Sequence, residues 1–225
     1  MTGTVGGIPR WAAAFGVLYA LTYVVGNDVV AATLYPGYSR TDQAISELSA
    51  TAAPTQALLT AVLPFETLLL LGFGLGVWTA ARGDRALRWT GGLLVAAAVI
   101  GPLWLLFPMT RREDITAAVV PVNDVGHIAL TAVTVLLIVM IIATGAVAVR
   151  DRGFRIYSAV TLVAVLASGA VTGVLASKIQ DGLPTPGMGL FERVNAYGYM
   201  VWLAVFAVVL ARTKARPRRI EEAAR

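Results

Sequence analysis

Six apolar runs, at residues 11–34, 54–81, 89–107, 121–149, 156–177 and 190–211, alternate with short polar segments along this chain of 225 residues. As a helix rising about 1.5 Å per residue, each run is long enough to cross the roughly 30 Å hydrocarbon core of a bilayer. The pattern predicts an all-α integral membrane protein: a six-transmembrane-helix bundle forming a single membrane domain. Tight turns carrying Arg82, Arg85 and Arg88, then Arg150, Asp151, Arg152 and Arg155, follow the second and fourth runs. Longer polar segments follow the first, third and fifth.

Polar and glycine positions refine the runs. The first is longer than a signal-peptide core and is broken by Asn27 and Asp28, so it is kept as a helix. In segment 35–53, Ser39 and Asp42 have capping-box spacing and Ile45 and Leu48 share a side, which predicts a short interfacial helix. Gly72 and Gly76 give the small-xxx-small spacing that lets helix backbones approach in lipid. No strand precedes them, so they are not a nucleotide loop. Pro102 is expected to kink the third helix.

Composition narrows the chemistry. Hydrophobic residues make up 57% of the chain and mean hydropathy is +0.74, outside the soluble range. Without Cys and with His127 as the sole histidine, thiolate and multi-histidine metal sites are excluded, and neither a metal nor a cofactor is expected. The net charge of +5 does not point to nucleic acid, because the basic residues flank the apolar runs. Arg10, the two arginine-rich turns and the tail hold 13 of the 18 Lys and Arg residues. The positive-inside rule then places both termini in the cytoplasm, in the cell membrane, with the three longer loops outside. The basic tail, 212–225, is expected to meet anionic lipid.

Counting from the arginine at the cytoplasmic end of each run, helix rise puts Asp28, Glu66, His127, Glu192 and Arg193 about 27, 24, 34, 30 and 28 Å up. Four helices thus bring ionisable groups to one outer layer, while the inner two-thirds of every run is uncharged. A coupled transporter usually needs ionisable groups at mid-membrane, so the layer points instead to a pocket entered from outside or from the outer leaflet. Asn123 and Asp124 share a helical face with His127, and either can hydrogen-bond it. Glu192 pairs at the same kind of spacing with Asn195, and Arg193 with Tyr197. Trp104 and Phe107 are the aromatic cavity candidates beside the layer. A structural reading stands beside these, in which the charges neutralise one another and lock the helix ends, with Glu66 bridged to Arg193.

Ile45-Ser46-Glu47-Leu48, Leu106-Phe107-Pro108, His127 and Gly189-Leu190-Phe191-Glu192-Arg193, in this order and spacing, resemble the six-helix prokaryotic membrane family "domain of unknown function 998". The resemblance implies the six-helix architecture. It draws attention to Ser46, Glu47, Pro108, His127, Glu192 and Arg193 without giving them roles.

Two functions stay open. One is a binding protein whose outward-facing polar pocket, lined by Glu47, Trp104, Phe107, Asn123, Arg193 and Tyr197, takes a small or lipid-like molecule. The other is a membrane-embedded enzyme acting on a lipid or isoprenoid, with Glu66, Glu192 or Asp28 as the acid and His127 with Asp124 as proton partner, analogous to terpene cyclases. Membrane lipids are the expected surroundings, and a small hydrophobic molecule the expected ligand or substrate.

Overall fold

The computed structural model describes residues 7–115 and 121–213, and every regular element among them is helical. Six helices are long and apolar enough to span a membrane: α1 (Arg10–Leu34), α2 (Gln56–Ala80), α3 (Arg85–Leu105), α4 (Val122–Ala148), α5 (Arg152–Ile179) and α6 (Met188–Arg212). The tail beyond Thr213, to which a lipid contact was assigned from sequence, lies outside the described residues.

Two helices begin a full turn earlier than their apolar runs, and the cause is local. Asp84 accepts the amide of Leu87 at 2.9 Å, so α3 starts at Arg85 and not at 89. Asp151 accepts that of Phe154 at 2.7 Å and starts α5 at Arg152 in place of 156. Each carboxylate satisfies an amide that a helix start leaves unpaired. At Pro102, where a kink is expected, the helix changes type: α3 is α-helical to Ile100 and tightens to a 3₁₀ turn over Gly101–Leu105.

Each helix packs on its neighbours in sequence, and α1 also packs on α6, closing a ring. Missing side chains set the closest approaches. A Cβ on Gly72 would lie 2.4 Å from the Phe15 ring, and one on Gly76 would lie 2.3 Å from the Ala12 Cβ. This is the close contact expected of small-xxx-small spacing, here between α1 and α2. Inside the ring an aromatic cluster fills the half of the bundle near the short turns. Trp202 stacks on Phe206 at 5.0 Å, Phe154 stacks on Phe206 at 6.0 Å, and Phe73 meets Phe206 edge-on at 6.2 Å. The indole N–H of Trp202 donates to Ser158 Oγ at 2.9 Å, so the aromatic core leaves this buried donor satisfied.

Candidate functional site

The other half of the bundle is built around a change of pitch in α1. Residues Tyr23–Val30 form a π-helix, whose extra residue per turn turns neighbouring side chains Asn27 and Asp28 towards the bundle together. Asp28 is fully buried and Arg193, from the first turns of α6, is 6% exposed. Arg193 grips the carboxylate with two nitrogens, Nη2 on Oδ1 at 2.6 Å and Nε on Oδ2 at 2.9 Å. Arg40 adds a contact to Oδ2 at 2.8 Å, and the Tyr197 hydroxyl donates to the same oxygen. The bidentate geometry and the added donors are what a buried ion pair needs to offset desolvation.

Arg193 also holds the first long loop. It donates to the carbonyls of Arg40 and of Gln43, the latter at 3.2 Å, and to the Tyr38 hydroxyl at 2.9 Å. Glu192 accepts the amide of Ile45, which opens a 3₁₀ helix over Ile45–Ser49; this short helix holds Ile45 and Leu48 but starts well after the Ser39–Asp42 pair expected to cap it, with Glu47 in the capping place. Gly189 is where the loop backbone comes closest, since a Cβ there would stand 2.1 Å from the Gln43 carbonyl oxygen. Asp42 accepts the Gly187 amide at 2.9 Å, and this contact, with Ser39 and Thr41 beside it, lowers its carboxyl below the usual range.

A second knot joins the remaining loops. Glu47, 3% exposed, accepts from Arg112 in fork geometry at 2.9 and 2.7 Å. Arg112 continues to Thr185 at 3.0 Å, and Thr185 to the Asp42 carbonyl at 2.9 Å. The pairing with Glu47 raises the Arg112 guanidinium above its usual value. Loop 35–53, the described part of the loop after α3, and the loop before α6 thus form one polar cap. A cleft of about 240 Å³ at its edge is lined by Arg112, Ile179, Gly182, Leu183 and Pro184.

Glu66 stands apart from these ion pairs. Its expected bridge to Arg193 is not formed, because Asp28 occupies that guanidinium. Its Oε2 accepts from Asn27 Nδ2 at 3.0 Å, while Glu66 Oε1 and Asn27 Oδ1 are buried and have no partner. Pro64, inside α2 two residues earlier, donates no backbone hydrogen bond.

The histidine face also differs from its predicted pairing. His127 Nδ1 bonds the Phe107 carbonyl at 3.0 Å, neither Asn123 nor Asp124, and its ring meets Trp104 edge-on at 4.9 Å. Asp124 instead accepts the Thr110 amide at 2.7 Å, leaving Oδ2 buried without a partner, and Asn123 is exposed. Phe107 packs on Gly126, where a Cβ would lie 2.2 Å from its ring. Asn195 donates to the Val165 carbonyl of α5 at 2.7 Å, so it does not pair with Glu192. The structure therefore separates three groups: Asp28 with Arg193, Arg40 and Tyr197; Glu47 with Arg112; and Glu66 with Asn27. Sequence spacing missed Arg40, Arg112 and Asn27 because each meets its partner from a different element.

No curated protein matches this chain, and no solved structure does. The family described as "Protein of unknown function (DUF998)" matches over residues 13–209, a span that reaches all six helices, and the chain belongs to that family.

Proposed function

We propose that the protein binds a small or lipid-like molecule in the outer half of the membrane, with the Asn27–Glu66 pair holding a hydroxyl or amine of the ligand. The observation that carries this reading is the pair of buried acceptor oxygens, Glu66 Oε1 and Asn27 Oδ1, with no donor. Buried acceptors are costly when left unmade, and a ligand carrying hydrogen-bond donors would satisfy both. The polar cap serves as a fixed roof over this pair, and the half-buried Asn27 places it within reach of the lipid side. The single membrane domain lies in the cell membrane with both termini cytoplasmic and the cap outside, as the arginine bias supports. Small molecules retained by the purified protein and identified by mass spectrometry test the reading. A donor-bearing compound is expected with the native protein and is depleted in Glu66→Gln of equal helicity; the same retained profile in both would refute it.

A second reading rests on the lack of any cation bonded to Glu66 among the described residues. An uncompensated buried carboxyl is suited to the protonated form, and a protonated carboxyl can act as general acid towards an isoprenoid alkene or epoxide. Turnover lost in Glu66→Gln with the fold intact supports this; full turnover removes Glu66 as the acid.

A further inference from the structure

The end of the bundle opposite the polar cap carries a groove of about 550 Å³, lined by Trp78 of α2 and by Arg85, Arg88, Trp89, Gly92, Leu93 and Ala96 of α3. On α3 these residues recur at helical spacing along one stripe, charged at its start and apolar beyond. From Arg85 to Ala96 the stripe runs about 16 Å along the helix axis. Gly92 lies in the groove, and the buried Gly91 beside it brings the two helices together. A Cβ on Gly91 would stand 2.5 Å from the Trp78 amide nitrogen, and one on Gly92 would stand 3.0 Å from the indole ring. The Trp78 indole lies against α3 in the space they leave.

Arg85 and Arg88 are exposed, and among the described residues neither side chain has an ion-pair or hydrogen-bond partner. The nearest acid in sequence, Asp84, is engaged in capping α3. Trp78 and Trp89 are 46% and 67% exposed. Two unpaired guanidiniums, two indoles suited to the headgroup level and an apolar channel leading away along the helix have the sequence of parts of one amphiphile.

We propose that this groove is a site for a single anionic phospholipid, with Arg85 and Arg88 on its phosphate and one acyl chain laid along Gly92, Leu93 and Ala96 beside Trp78. The charge complementarity selects an anion, and the apolar length selects a lipid over a free phosphate. The site is independent of the Asn27–Glu66 pair, at the other end of the bundle.

The test is lipid retention and exchange, followed by native mass spectrometry of the full chain from nanodiscs of phosphatidylglycerol and phosphatidylcholine. One phosphatidylglycerol is expected to stay bound where phosphatidylcholine does not. The double variant Arg85→Gln/Arg88→Gln is expected to weaken its binding by roughly 30-fold, with helicity unchanged. Gly92→Leu, which fills the channel but keeps both arginines, is expected to weaken it as well, and Trp89→Ala replaces that variant if it does not fold. Glycerol 3-phosphate in solution is expected not to displace the lipid. Equal retention of both lipids, unchanged binding in the arginine variant, or displacement by glycerol 3-phosphate would each overturn the site.

Discussion

The two ends of this bundle are held together by opposite means. At the short-turn end Trp202, Phe206, Phe154 and Phe73 pack face and edge, with Ser158 closing the one indole donor. At the long-loop end, carboxylates and guanidiniums are buried and knotted through loop carbonyls. The aromatic end is packed from the side chains of the helices themselves, whereas the polar end is assembled from loops. The difference teaches that a layer of charges in a membrane protein can be architecture in some of its members and leave others outside the ion pairs. Glu66 is one of these: among the described residues no guanidinium is bonded to it, and one of its oxygens is buried without a partner.

Breaking the polar end should have the largest effect. Arg193→Met leaves buried Asp28 with only the half-exposed Arg40 and the Tyr197 hydroxyl and frees the loop carbonyls, so a loss of about 3 kcal/mol or more is expected in reversible unfolding in detergent. A stability unchanged from native would show that the cap is not what holds this end. Trp202→Ala probes the aromatic end and is expected to cost about 3–5 kcal/mol, at the lower side if the surrounding rings close the cavity. Arg40→Gln sharpens the contrast, because this second partner of Asp28 is 46% exposed and its removal is expected to cost no more than about 1 kcal/mol. If Arg40 and Arg193 proved equal, burial would not be the deciding variable. Glu66→Gln is expected to be close to neutral, within about 0.5 kcal/mol or slightly stabilising, since it breaks no ion pair.

The smallest effect concerns pH. Asp42 is held below the ordinary carboxylate value of about 3.9, so it contributes to docking of the loop above that value, and the contribution is lost as pH falls through its folded value. Amide exchange in residues 35–53 should therefore quicken on acidification below about pH 4. In Asp42→Asn the same step should be absent.

The six spans were legible because apolar length is a one-dimensional signal, and the Gly72–Gly76 contact followed from it. Counting residues also put Asp28, Glu66, His127, Glu192 and Arg193 in one layer, and in the structure Asp28 meets Arg193 while Glu66 meets Asn27, the residue before Asp28. Partners were less legible. Glu192 was paired on helical spacing with Asn195, but a loop amide from residue 45 took the carboxylate, and Asn195 turned to α5. His127 was paired with residues on its own helix, yet the carbonyl freed where α3 ends was nearer. The π-turn mattered most: an ordinary α-helix sets adjacent residues about 100° apart, and no composition cue marked that Asn27 and Asp28 would both face inward.

The Asp28–Arg193 pair spans 165 residues of chain, and that separation has a consequence in time. At about 5–20 residues per second, the carboxylate is made roughly ten to thirty seconds before its guanidinium exists. During that interval Asp28 has only Arg40, twelve residues on and half exposed, so α1 is expected to sit with Asp28 at the water's edge. The arrival of α6 is then expected to draw it in and fold the first loop down. The last helix is therefore the one that completes the first, and a chain ending before residue 188 should be cleared by membrane proteases much faster than the whole protein, a difference pulse-chase labelling would measure.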